Sequence, residues 1–146
     1  MRRGRWAVAV VAAAALLMGA CGDDGGGGTA SKEEWLEEHE ALVNAYSRDL
    51  VDALNVINQG ERQATVASCT QVQDDAREVR EEALPVPNAA VDTHLTKAVE
   101  VGIEAAQACL RGARETNADA VEEGQRLFAE ARKAMDEAEA ALDDWV

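Results

Sequence analysis

Between residues 31 and 146, apolar residues recur at alternating spacings of three and four, the pattern of helices with one buried face. Four such runs follow one another, and helix-favouring Ala, Glu, Leu, Gln and Arg dominate them. The inward positions are, run by run, Trp35, His39, Leu42, Tyr46, Leu50, Ala53 and Ile57; Val66, Cys69, Val72, Ala76, Val79 and Ala83; Val91, Leu95, Ala98, Val101, Ala105 and Cys109; and Val121, Gly124, Phe128, Ala131, Met135, Ala138, Leu142 and Trp145. The spacing predicts four helices with coiled-coil-like seams.

Residues with capping or breaking character separate these runs. Ser31 and Glu34 have the spacing of a capping box, and Gly60 is a suitable C-cap. The sequence LPVPN at residues 84–88 breaks the chain once more. The remaining predicted boundaries are a second helix from about Glu61 to Glu82, an N-cap at Asn88, an end of the third helix at Gly112 and a fourth start near Thr116 or Asn117.

Short connections make consecutive helices antiparallel. We therefore predict an all-α fold, an up-down-up-down four-helix bundle that forms one domain over residues 31–146. A three-helix body with the first helix loosely docked is the main alternative. Because many inward positions are alanine, the helices should pack closely but bury modest apolar area, and such a core benefits from a covalent link.

The first 20 residues follow a different pattern. Arg2, Arg3 and Arg5 lie in the first six residues, and the next 14 are uncharged and almost all apolar. A basic segment followed by a short apolar run is typical of an export signal. The run is shorter than the roughly 20 residues of a spanning helix.

Leu17-Met18-Gly19-Ala20-Cys21 resembles the lipobox of bacterial lipoproteins. In that family small residues precede a cysteine that is lipidated and becomes the first residue of the mature chain. Gly19 and Ala20 match the pattern, whereas Met18 stands where Leu is commonest. The resemblance implies a signal peptide over residues 1–20, lipid on Cys21 and a location on the extracytoplasmic face of the cell membrane. An ordinary secretory signal cleaved near Ala20 is the alternative.

A lipid-anchored chain needs a tether, and residues 21–30 have the composition of one. Four consecutive glycines make the segment flexible, with an r.m.s. reach of roughly 17–19 Å. Two or more acyl chains hold a protein stably to a bilayer without a spanning helix. The membrane is thus a predicted partner through Cys21.

Net charge excludes one class of partner. Loss of the three arginines with the signal lowers the basic residues from 14 to 11, against 28 acidic ones, and the net charge from −14 to −17. Nucleic-acid binding needs a basic surface, so we predict no nucleic-acid partner. We also expect the acidic body to stand off anionic lipid.

Cys69 and Cys109 remain as an even pair in an oxidising compartment. Both lie on inward stripes of adjacent antiparallel helices. Their distances from the proline hinge differ by about 12 Å at about 1.5 Å per residue, and an extended Pro85–Pro87 segment spans about 10 Å of that. We predict a disulfide; two buried free thiols are the alternative, and the absence of a Cys-x-x-Cys motif disfavours a redox-active pair.

The same layout resembles small helical secreted proteins and lipoproteins of actinobacteria, in which a Pro-x-Pro hinge separates two helical cysteines and a glycine follows the second. Cys69, Pro85, Pro87, Cys109 and Gly112 fit that layout over roughly residues 60–145. The resemblance implies a disulfide-linked helical bundle and no particular activity.

Candidate catalytic and metal-binding residues are scarce. Neither His39 nor His94 has the Glu three positions earlier that di-metal helix bundles use. Ser31, Ser47 and Ser68 lack a recognisable His-plus-acid arrangement. We predict no catalytic residue, no metal ligand and no cofactor.

Two further features bear on surface and core. The mixed-sign run from Asp74 to Glu82 indicates a solvated helix face. Trp35 and Trp145 are in register with their stripes, which predicts core positions rather than a docking patch.

The sequence as a whole favours a non-enzymatic, lipid-anchored envelope protein whose helical body contacts another protein or the cell wall. The alternative function is a binding module for a small ligand or divalent cation held inside the bundle. An apolar cavity lined by Leu42, Tyr46, Phe128 and Met135 would favour that alternative.

Overall fold

The computed structural model describes residues 30–146 and contains four helices and no strand within them. These are α1 (Lys32–Gln59), α2 (Arg62–Glu82), α3 (Ala89–Glu115) and α4 (Ala118–Asp143). Each helix packs on two neighbours, in the cyclic order α1, α2, α3, α4. The predicted all-α, up-down-up-down four-helix bundle is confirmed. The predicted signal peptide and most of the predicted linker lie outside the described residues.

The first helix is an integral part of this bundle. Tyr46, Leu50 and Ala53 of α1 are fully buried in the common core. The alternative of a loosely docked first helix is therefore wrong. The seams are nevertheless unequal, since α3 packs most extensively on α4 and the closing α1–α4 seam is the thinnest.

Local capping chemistry sets most helix ends. Ser31 Oγ accepts the Glu34 backbone N–H at 3.3 Å, and Glu34 Oε2 accepts the Ser31 N–H at 2.8 Å, which confirms the capping box. Gly60 ends α1 in the left-handed region with φ of 75°. Asn88 caps α3 with its side chain, as predicted, and Asn117 caps α4 close to the predicted start of that helix.

Replacement of Asn88 by alanine is expected to lower the free energy of unfolding by about 1 kcal/mol. Asn88 Oδ1 accepts the N–H groups of Ala90 and Val91 at 3.0 and 3.1 Å, and alanine leaves both donors without that partner. Urea unfolding followed by circular dichroism measures the change. Asn88→Ser keeps an acceptor and should lose much less; equal losses for the two variants contradict the capping role.

The predicted end of α3 at Gly112 is wrong. The helix continues through Gly112 to Glu115, and its C-cap Thr116 takes a left-handed φ of 56°. A Cβ at Gly112 would lie 2.7 Å from the Val121 backbone nitrogen, so glycine here permits close approach of α4. Arg62 of α2 donates to the Arg114 carbonyl at 2.7 Å and satisfies one of the last carbonyls of α3.

The buried core follows the predicted stripes but is broader on α3. Val66, Val101 and Leu42 are half-buried, whereas the other stripe positions of α2 and α3 are buried. Positions that the stripes missed are also buried, namely Thr65, Asp75, Val99, Gly102, Ala106, Ala108, Leu110 and Ala113. Close packing of α3 on both α2 and α4 explains its wider buried face.

Candidate functional site

The two helical cysteines meet as predicted. Cys69 of α2 and Cys109 of α3 form a disulfide with an Sγ–Sγ distance of 2.01 Å and a Cα–Cα distance of 6.3 Å. Both residues are fully buried. Solvent cannot reach the sulfur atoms, so the bond serves as a structural link between two helices. The predicted lipidation site, Cys21, lies outside the described residues.

Each of the two histidines lies beside a glutamate. His39 is half-buried, with Nε2 3.7 Å from Glu38 Oε2, and His94 Nδ1 lies 3.2 Å from Glu137 Oε2. Within residues 30–146, no three His, Cys, Asp or Glu side chains converge as metal ligands.

Aromatic residues close the end of the bundle at which α1 begins and α4 ends. Trp35 is 5% exposed and donates from Nε1 to the Ala83 carbonyl at 3.3 Å. Trp145 is half-buried with its ring 6.3 Å from that of Trp35, and the His39 ring also packs on Trp35, at 5.4 Å. Trp35 is thus a core residue, and Trp145 covers it.

A small apolar cavity lies between α1 and α4 near that same end. Its volume is about 80 Å³. Trp35, Val43, Leu95, Met135 and Leu142 contribute to its wall, and glutamates of α1 and α4 also line it. Small-molecule sites usually offer about 300–1,000 Å³, so this cavity has room for one side chain rather than a ligand.

The one carboxyl group with a strongly raised pKa among the described residues is Asp75 of α2, and it was not predicted. Asp75 is 8% exposed, and its Oδ1 accepts the Gln71 Nε2–H at 2.8 Å. Its Oδ2 is buried and has no hydrogen-bond donor. A carboxyl group with one orphaned oxygen therefore lies in a poorly solvated place.

Burial is the main cause that raises the pKa of Asp75 to about 7; the nearby acids Asp49 and Glu78 raise this pKa further, whereas the hydrogen bond from Gln71 lowers it. Burial, followed by the charge of Asp75, raises the pKa of Tyr46 well above its ordinary value. The Tyr46 hydroxyl stays protonated and donates to the Ala98 carbonyl at 2.6 Å.

The interpretation of residues 74–82 as a solvated face is therefore wrong at Asp75. Asp75 lies three positions after Val72 and four before Val79, both fully buried, so helical spacing alone places it at the edge of the buried stripe. The predicted buried stripe of α2 left out Asp75, because an acidic residue inside an acidic run is ordinarily exposed.

No protein-family model, curated protein or solved structure matches this chain. Among residues 30–146, none of the helices combines the length and apolar character that crossing a bilayer requires. The inference of function therefore depends on the residues and geometry described above.

Proposed function

We propose that this protein is an extracytoplasmic lipoprotein held at the cell membrane by lipid on Cys21. Its helical bundle is a non-enzymatic module that contacts another envelope protein or the cell wall. The single observation that carries the proposal is the buried Cys69–Cys109 disulfide, because disulfides persist in compartments outside the cytoplasm. The export-type sequence before Cys21 agrees with that compartment.

The helix order defines which end of the bundle faces the anchor. Ten residues separate Cys21 from the start of α1 at Lys32, so the tether joins the end closed by Trp35 and Trp145. The turns at Gly60 and Thr116 lie at the opposite end. With 26 residues in α4, that end is about 40 Å farther from the tether. We infer that the far end meets the partner.

The interior gives less support to a ligand-binding role. Tyr46, Phe128 and Met135, which the sequence suggested as cavity walls, are packed in the core with at most 1% exposure. The cavity of about 80 Å³ includes Met135 but neither Tyr46 nor Phe128. An interaction surface on the outside of the bundle is therefore the better proposal.

Replacement of Cys21 by alanine tests the anchor. Wild-type protein from a bacterium with a lipoprotein pathway should lack residues 1–20, incorporate labelled palmitate and sediment with membranes. Cys21→Ala should lose the label and most of the membrane fraction, since no lipid can be attached. The Cys69→Ala/Cys109→Ala variant is the matched control and should keep both properties. A recovered wild-type chain that begins at Met1, unacylated and cytosolic, overturns the proposal.

Site-specific photo-crosslinking tests the contact. A photoreactive residue at Glu115, next to the far-end turn, should give a discrete crosslinked product on intact cells. The same residue at Glu33, in the first turn of α1, is the control at the tether end. A product from Glu115 alone supports the far-end surface. No product from either position contradicts an interaction role.

A further inference from the structure

The two ends of the bundle core are closed differently. Trp35 and Trp145 cover the core at the tether end. Small and aliphatic side chains line the far end and leave an open groove of about 240 Å³, with Ile57, Ala113 and Val121 as the apolar part of its wall. This far-end groove is smaller than the roughly 300 Å³ at which small-molecule sites begin, so it suits a single residue of a longer ligand.

A hydroxyl group without a partner faces the far-end groove. Thr65 of α2 lines the groove and is 5% exposed. The hydroxyls of Thr70 and Thr93 each donate to a carbonyl one turn earlier, whereas that of Thr65 has no hydrogen-bond partner among residues 30–146. In that part of the chain, Asp75 Oδ2 is the one unpartnered side-chain atom that solvent cannot reach. The Thr65 hydroxyl is therefore open to the groove and can donate to an acceptor bound there.

The charge at the far-end groove is positive. Among the described residues, Arg62 is the one charged residue that lines it, and Arg62 makes no ion pair with any of them. Its Nη2 donates to the Arg114 carbonyl at 2.7 Å, which holds the guanidinium in place and leaves its other N–H groups for a ligand. The side chain of Glu61, the N-cap of α2, makes no capping hydrogen bond, so the positive end of this helix is not neutralised by a cap. A carboxylate is the group that these donors favour.

A second open groove adjoins the first and shares Arg62 with it. This side groove lies between α2 and α3, and Val66 and Arg114 also line it. The exposed acids Glu61 and Glu115 are next to the two arginines in sequence but line neither groove. A polypeptide segment that extends from the far-end groove into the side groove therefore passes a second cation.

We propose that the far end binds the C-terminal residue of a partner polypeptide, with its carboxylate on Arg62 and Thr65 and its apolar side chain beside Ile57. This inference rests on the proposed function and names the chemistry of the partner. A terminal residue carries its carboxylate and its side chain on one Cα, which matches a groove that offers donors and an apolar wall within the space of one residue.

The side groove determines which kind of partner fits best. It extends the site beyond one residue and adds the charge of Arg114, so a tail with an acidic residue shortly before its end is favoured. A terminal residue of a cell-wall peptide shares the carboxylate chemistry but makes less use of this second groove. We therefore assign the site to a polypeptide tail.

Fluorescence anisotropy with the purified full chain in detergent tests the assignment. The probe is a fluorescein-labelled peptide, Gly-Gly-Ser-Asp-Ala-Val, with a free terminal carboxylate. The same peptide with an amidated terminus should bind about ten- to a hundredfold more weakly, because charge-assisted hydrogen bonds are lost. Absence of binding by the acid form, or equal affinity of the acid and amide forms, overturns the proposal. Tighter binding of a peptide that ends in D-alanine overturns the polypeptide tail in favour of the cell wall.

Three variants locate the binding. Arg62→Gln should weaken binding of the acid peptide about tenfold or more. Arg77→Gln makes the same charge change on α2 outside both grooves and should bind like wild type. Ala118→Leu adds bulk to the far-end groove from an exposed position and should reduce binding even where Arg62→Gln folds poorly. Equal affinities of Arg62→Gln and Arg77→Gln for the acid peptide contradict the site.

Failure of this inference is distinguishable from failure of the proposed function. A crosslinked product from Glu115 on intact cells, together with no binding of the acid peptide, overturns the C-terminal tail and leaves the far-end contact in place. Carboxylate-dependent peptide binding by a chain that stays unacylated and cytosolic supports the groove and overturns the anchor.

Discussion

Replacement of both Cys69 and Cys109 by alanine is expected to lower the free energy of unfolding by about 4 kcal/mol. The disulfide joins residues 40 positions apart, and the loss of chain entropy on closing a loop of that length is close to this value. The alanine-rich core buries modest apolar area, so the total free energy of unfolding is small. A loss of this size should therefore lower the urea midpoint of unfolding steeply. Urea unfolding of oxidised wild type and of the double variant measures the loss.

Reduction provides the matched comparison. Strong reductant should destabilise the wild type about as much as the double replacement does, and should leave the double variant unchanged. Alanine is preferred to serine because both positions are fully buried and a hydroxyl would need a new partner. Equal midpoints for the oxidised wild type and the double variant would show that the bond does not stabilise the bundle.

Gly102→Ala is expected to lower the free energy of unfolding by up to about 3 kcal/mol, the usual range for overpacking a core. A Cβ built at Gly102 of α3 clashes with the Tyr46 hydroxyl. Neither group can move freely, since Tyr46 is fully buried and its hydroxyl is bonded to the Ala98 carbonyl. Thermal or urea unfolding measures the effect.

Removal of the hydroxyl should relieve part of that clash. Tyr46→Phe alone loses one hydrogen bond, worth about 1 kcal/mol. In the Tyr46→Phe background, Gly102→Ala should cost less than in wild type, although the ring carbon Cζ, 3.1 Å from the added Cβ, keeps some strain. Gly124→Ala is the control, because its Cβ meets the Cys109 backbone nitrogen at 3.0 Å instead. Additive costs for Gly102→Ala and Tyr46→Phe would contradict the contact.

Helix ends were predictable where their chemistry is local. Ser31 with Glu34, Gly60, Asn88 and Asn117 each act within one turn of their own position, so the sequence contains all that decides them. Gly112 shows the opposite case. Its lack of a side chain serves the approach of a neighbouring helix rather than a chain reversal, and short-range rules cannot distinguish these two uses of glycine.

The disulfide was predictable because helix rise and hinge length fix the relative height of two cysteines on neighbouring helices. The burial of Asp75 was not, because it depends on the rotation of α2 within the bundle. Hydrophobic spacing fixes that rotation only to within about a third of a turn, which does not separate a seam position from an exposed one.

Because the bundle has four antiparallel helices, α4 ends at the same end of the bundle at which α1 begins. Val146, with its fully accessible side chain, therefore lies at the same end as Lys32. A fluorescent domain or affinity tag appended after Val146 would lie beside the start of α1. An epitope inserted at the Gly60–Glu61 turn would instead project from the opposite pole, where it could be seen by an antibody without disturbing either chain terminus.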